Sequence, residues 1–172
     1  MNSSGSYILL DGARLEHQLH RARELNGAHL SLYKGSADEF LEDVGPFLFA
    51  DSQETQFREW YKENGWNNAW GILVDTNATF EECCKHFRKF LLVKTEDDQE
   101  LYFRFYDPRV LKIFLPTCDE KQIIEFFGPV EKFIVEGETK EEAIEFSHRN
   151  GVLQQKKINA TEVFGNMETM NV

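Results

Sequence analysis

Residues 101–117 write a strand, a helix cap and a helix into one continuous run. Leu101, Phe103 and Phe105 alternate with Tyr102, Arg104 and Tyr106, a period of two that gives a strand one apolar face. Asp107 then suits a helix N-cap, because its short carboxylate reaches the unpaired N–H groups of a first turn. Pro108 suits the first helical position, where no N–H is needed. Val110, Ile113 and Phe114 supply an apolar stripe, and Pro116 stops the helix. A chain carrying this passage must run a strand directly into a helix, which points to an α/β fold.

The rest of the chain repeats the alternation, with Gly or Pro at nearly every boundary. Strands are expected over 7–10, 29–33, 46–50, 70–75 and 91–95. Leu15, Leu19 and Ala22 share one helical face, and Gly27 is placed to close that helix. Capping boxes, in which a short polar side chain and a Glu or Gln three residues on satisfy each other's backbone, are expected at Ser36/Glu39, Asp51/Glu54, Thr79/Glu82, Asp119/Gln122 and Thr139/Glu142. Several of these helices meet a glycine, at Gly65, Gly128 and Gly151. Phe80, Cys84, Phe87 and Leu91 recur at helical spacing, so Cys84 reads as core. The sum is a mixed central sheet flanked by helices over residues 6–135, followed over 136–172 by a short, acidic, helical appendage. Residues 119–146 hold nine acidic and three basic side chains, and the chain after Gly151 lacks strong periodicity.

Charge and cysteine usage narrow the function. The chain has 19 Lys and Arg against 30 Asp and Glu, a formal charge of −11, which argues against nucleic acid or an anionic membrane as a general partner. Its three cysteines, Cys83, Cys84 and Cys118, form no CxxC or CxxH group, and a disulfide scaffold is not expected. The apolar run 7–10 is cut short by Asp11 with no basic region before it, so it reads as a strand and not a signal peptide. A cytoplasmic location follows as the expectation.

No nucleophile elbow, Walker loop or dinucleotide fingerprint appears, and neither a cofactor nor a metal is expected. His17 and His20 stand three apart, but beside Glu16, Gln18 and Arg21 they read as a solvated helix face. Cys83 and Cys84 point in different directions along a helix, and the His86/Cys83 pair lacks further ligands. The one polar constellation that stands out is Arg104, Tyr106, Asp107 and Arg109, which could converge at a strand end and hold an anionic ligand or a partner's carboxylate. Equally, Asp107 could cap its helix and pair with Arg14 or Arg104, locking the corner. The chain also has 15 Phe, five Tyr and three Trp. Trp60, Tyr61, Trp70, Phe126, Phe127 and Phe133 read mostly as core, whereas Trp66, in the polar stretch 64–68, is expected at the surface as an interface anchor.

Several strings occur in a characteristic order: Leu9-Leu10-Asp11-Gly12-Ala13-Arg14, Ser31-Leu32-Tyr33-Lys34-Gly35, Gly45-Pro46-Phe47-Leu48, Trp70-Gly71-Ile72-Leu73 and His86-Phe87-Arg88-Lys89-Phe90-Leu91. The most specific is Phe103-Arg104-Phe105-Tyr106-Asp107-Pro108-Arg109-Val110-Leu111, followed by Gln122 and Phe126-Phe127-Gly128-Pro129. Over residues 6–135 the chain resembles the effector adaptor/chaperone family of bacterial type VI secretion systems. The resemblance implies a non-enzymatic protein of Gram-negative bacteria that binds the N-terminal region of a toxic effector in the cytosol. It would then help load that effector onto the VgrG spike by holding a C-terminal segment of the spike. Many members continue into a substantial second lobe, whereas few residues follow Val135 here, so the appendage reads as a truncated lobe. The residues nominated for partner binding are Arg14, Tyr33, Trp66, Trp70, Arg104, Tyr106, Asp107 and Arg109. Two other readings stay open: a small enzyme acting on a phosphorylated or anionic substrate through Arg104, Tyr106, Asp107 and His86, and an acidic immunity protein that blocks a basic toxin. The last fits the charge but not the resemblance.

Overall fold

A computed structural model of the chain describes residues 5–33, 39–52 and 55–165. The run Tyr7-Ile8-Leu9-Leu10 forms the middle of strand β1 (Gly5–Asp11) and is buried on both sides. Tyr7 and Leu9 enter one apolar core, Ile8 and Leu10 a second, which is why the run is continuous and not alternating. Helices α1 (Gly12–Leu15) and α2 (Gln18–Leu25) follow, then β2 (His29–Ser31), α3 (Glu39–Val44), β3 (Pro46–Ala50), α4 (Gln56–Asn64) and β4 (Gly71–Thr76). The chain continues through α5 (Phe80–Arg88), a hairpin of β5 (Leu92–Lys94) and β6 (Glu100–Tyr102), α6 (Pro108–Phe114) and α7 (Glu120–Phe127). It ends in β7 (Val130–Glu136), β8 (Glu142–Arg149), β9 (Val152–Asn159) and α8 (Ala160–Phe164).

Seven strands make one sheet in the order β2-β3-β1-β4-β7-β8-β9, antiparallel at every step. The expected α/β architecture, a central sheet flanked by helices with a helix at the C-terminal end, is therefore present, with the sheet antiparallel and not mixed. On one face α5, α6 and α7 bring Cys84, Phe87, Leu111, Phe126 and Phe127 onto the sheet; on the other, α1, α2, α4 and α8 bring Leu15, Leu19, Phe57, Tyr61 and Val163. Each fully buried Phe or Leu adds roughly 2 kcal/mol of apolar transfer free energy.

Several local expectations are met. The Thr79/Glu82 and Asp119/Gln122 capping boxes open α5 and α7, and Gly128, with φ at 50°, closes α7. Others are corrected. The first helix is two, because Glu16 turns left-handed (φ 50°) and returns its N–H to the Gly12 carbonyl, ending α1; Leu15, Leu19 and Ala22 still share the second core. Asn26, not Gly27, closes α2. Thr139/Glu142 caps no helix: Glu142 begins β8. Ser36 and Glu54, and with them two proposed boxes, lie outside the described residues; the observed cap of α4 is Thr55, which accepts from the Arg58 N–H.

The region after Val135 also differs from the expectation. Over 142–159 it supplies β8 and β9, which pair into the main sheet, and Gly151 ends no helix. Asn150 and Gly151, at φ 50° and 83°, form a two-residue turn of the primed type that matches strand twist. A further capping box, Asn159/Glu162, opens α8.

Candidate functional site

The strand expected over 101–106 stops at Tyr102. Its last ladder bond runs from the Phe103 N–H to the Leu91 carbonyl (2.9 Å), after which the chain turns so that Phe105 and Tyr106 can both enter the same core, something neighbours on a straight strand, which face opposite sides, cannot do. The turn closes through the Asp107 N–H on the Arg104 carbonyl (3.0 Å), and α6 begins as the sequence indicates, with Asp107 as cap and Pro108 in the first turn.

Asp107 is buried, and its carboxylate is fully used. One oxygen accepts from the Arg109 N–H (2.9 Å) and Nε (3.0 Å), the other from Arg109 Nη2 (2.7 Å). Burial pushes this carboxyl up, but the bonds from Arg109 outweigh it and hold it below the usual carboxylate range. Asp11 repeats the arrangement at the end of β1: Oδ1 accepts from the Ala13 N–H (3.1 Å) to cap α1, and Oδ2 pairs with Arg104 Nη2. That bond raises the Arg104 guanidinium above its ordinary value. Two buried aspartates thus cap two helices while each pins an arginine whose outer edge faces solvent. The pairing differs from the expected one, since Arg104 goes to Asp11, and Arg14 donates to the Asn68 carbonyl (2.9 Å), not to Asp107.

Tyr33 joins the same corner. Its ring meets Tyr102 edge-on at 6.1 Å, and burial together with Tyr102 pushes its hydroxyl up to about 12. Tyr106 is raised by burial, with Asp11 and Tyr33 adding to the shift and Arg104 opposing it. The structure therefore brings Tyr33, Arg104, Tyr106, Asp107 and Arg109 together at the end of the sheet where β1 finishes, and Arg14 lies beside them one turn away.

Trp66 and Trp70 belong elsewhere. Trp66 is only 3% exposed, which corrects its expected place at the surface: its ring stands edge-on to Phe164 at 4.9 Å, and Nε1 donates to the Lys140 carbonyl at 3.0 Å. Polar neighbours in sequence hid an indole whose partners are far along the chain. Trp70 is half-buried against Trp60 (5.3 Å), and its carbonyl accepts from the Asp11 N–H (2.8 Å). His86 is buried near the opposite end of the sheet, donating from Nε2 to the Phe126 carbonyl (2.8 Å) beside Gly128. Burial lowers its basicity. It is not among the side chains of the Arg104–Asp107 corner.

Two residues outside the nominated set prove structural to the corner. Asp11 could have been found as a carboxylate ending an apolar strand just before Gly12, the pattern of a cap. Glu136, at the end of β7, had no such signal. It is buried, and both its oxygens accept from the Ala69 N–H (3.0 and 3.2 Å), steadying a loop in which Asn67 and Ala69 have φ of 67° and 55°. Burial raises its carboxyl, against bonds from the Ala69 and Asn67 backbone.

The corner also roots the most exposed apolar element. In the β5–β6 hairpin Leu92, Val93, Leu101 and Tyr102 are 46%, 38%, 49% and 58% exposed, and among the described residues the hairpin pairs with no other strand. Among the described residues, no group of three or more His, Cys, Asp or Glu side chains could hold a metal ion, and no helix is long and apolar enough to cross a membrane. Chemically, the corner can present pinned guanidinium edges beside an apolar surface, which suits the recognition of another chain.

No curated protein and no solved structure matches the chain. A family model described as "Domain of unknown function (DUF4123)" does, over residues 6–125, a span that runs from β1 through the corner and into α7. By that match, which covers well over half of its 172 residues, the chain belongs to the DUF4123 family.

Proposed function

We propose that this protein is a non-enzymatic effector adaptor/chaperone of a bacterial type VI secretion system, acting in the cytoplasm. It binds the N-terminal region of a toxic effector and helps load it onto the VgrG spike through a C-terminal segment of the spike. The observation that carries the reading is where the most specific part of the resemblance falls. Residues 103–111 fold into the Asp11–Arg104 and Asp107–Arg109 corner, at the root of a hairpin that leaves four large apolar side chains exposed. Large apolar side chains gathered on one exposed element commonly mark a surface that another protein covers. Effector segments rich in apolar residues aggregate when left uncovered, so a chaperone that covers them lowers the free energy of the soluble state. Membership of the DUF4123 family agrees with this reading without naming a partner.

The test is co-expression of the chain with the effector encoded beside it and, separately, with the C-terminal segment of the neighbouring spike, followed by size-exclusion chromatography. A stable complex with either is expected. Elution of the chain alone in both cases overturns the adaptor reading and returns the corner to a substrate screen with anionic ligands.

A further inference from the structure

We infer that the β5–β6 hairpin is a docking surface for an extended, apolar segment of a partner protein flanked by Lys or Arg. Directly paired residues share a face, so Leu92 and Tyr102 stand on one side and Val93 and Leu101 on the other. The second side is continuous with the core: Leu91, two rungs inward, is buried, and Phe103 packs on Phe114 at 4.7 Å. Among the described residues, apolar surface thus emerges from the molecule along the hairpin without a covering element. Two-stranded hairpins are marginal alone, and this one is held at its base by Leu91, Phe103 and the Tyr33–Tyr102 contact.

The tip selects the partner. Glu96, Asp97, Asp98 and Glu100 are all exposed there, against Lys94 alone, and the Thr95 N–H on the Gln99 carbonyl (2.9 Å) closes the turn that carries them. An apolar stem beneath a tip of four carboxylates matches a segment whose apolar residues are bounded by cations. A second copy of this chain fits poorly, because two such tips and two chains of charge −11 repel. An anionic lipid surface is repelled in the same way. As cargo recognition the inference deepens the adaptor reading and rests on it; as surface chemistry it is tested without it.

The first measurement is fluorescence anisotropy of the full chain with a labelled peptide in which valine and threonine alternate between paired lysines, and with its counterpart carrying glutamates in place of the lysines. Binding of the lysine peptide is expected, weakened about tenfold or more in the glutamate peptide, in the Val93→Ser/Leu101→Ser variant and in the Asp97→Lys/Asp98→Lys variant. Both variants should melt like the wild type, since the changed side chains are exposed. No binding, or equal binding across peptides or variants, overturns the inference. The second measurement repeats effector co-elution with the same variants. Retention of the effector by both variants overturns the hairpin as the cargo surface while leaving the adaptor reading intact. A wild-type chain that binds the lysine peptide but neither the effector nor the spike segment overturns the adaptor reading and leaves the docking surface standing.

Discussion

Strand β9 and the β5–β6 hairpin both lie at the rim of the molecule, yet past Val152 at the start of β9 their exposed side chains are of opposite kinds. β9 is the outer strand of the main sheet, and between Leu153 and Ile158 it shows solvent Gln154, Gln155, Lys156 and Lys157. Lysines on an edge strand discourage pairing with another chain. The hairpin instead shows Leu92, Val93, Leu101 and Tyr102, and its carboxylates are gathered at the tip, off the apolar rungs. The difference teaches that the sheet edge at β9 is guarded by polar and cationic side chains, whereas the hairpin leaves apolar area open, the surface on which the proposed docking rests.

The comparison can be broken most forcefully at the root of the hairpin. Leu91→Ala removes a buried side chain and should cost about 2–4 kcal/mol in urea unfolding, whereas Leu101→Ala, two rungs outward on the same face, should stay within about 0.5 kcal/mol. Equal losses would mean that the hairpin is packed, not open. On the β9 side, Gly151→Ala places a Cβ at positive φ and 2.8 Å from the Glu120 carbonyl, and should lose about 1–2 kcal/mol by the same assay.

The corner that carries the hairpin gives a smaller effect with a pH signature. Asp107→Asn should cost about 1 kcal/mol at pH 7. Because Arg109 holds the folded carboxyl below its unfolded value, the wild-type advantage is complete above the unfolded value near pH 4 and disappears as pH falls through the folded one. Glu136 and Asp75, which burial raises, contribute with the opposite sign, so the difference in Tm between wild type and variant from pH 7 to pH 3 is the quantity to follow. Constant separation across that range would remove Asp107 from the set of charged caps. Smallest in stability is Lys156→Val/Lys157→Val, expected to leave Tm nearly unchanged but to start concentration-dependent association by light scattering. Continued monodispersity would show that lysine is not what guards β9.

These regions also divide what the sequence made legible from what it hid. Strands β1, β3 and β4, the α5 and α7 capping boxes and the Asp107-Pro108 start of α6 were readable, because each depends on neighbours within a few residues. β8 and β9 were not read. β9 has no buried face to impose alternation, and Gly151, the local clue to the turn, reads equally well as a helix end. The period of two over 101–106 was real but misleading: its inner half serves a turn that buries Phe105 and Tyr106 together. At the site, five of the eight nominated residues do meet. Arg14 sits alongside, Trp66 is buried by Phe164 and Lys140 through contacts no short window contains, and Trp70 packs on Trp60 at the second core, as its core reading has it.

Asp11 has one oxygen on the cap of α1, whose Leu15 lies in one core, and the other on Arg104, which leads into α6 over the opposite core. A single carboxylate therefore spans the sheet's end like a clasp between the two layers. Opening either layer strips Asp11 of half its bonds and leaves a buried charge underpaired, so the two sides are tied into one cooperative unit. Amide exchange in α1 and α6 should then follow a common opening, and the platform beneath the hairpin stays rigid for as long as both layers are closed.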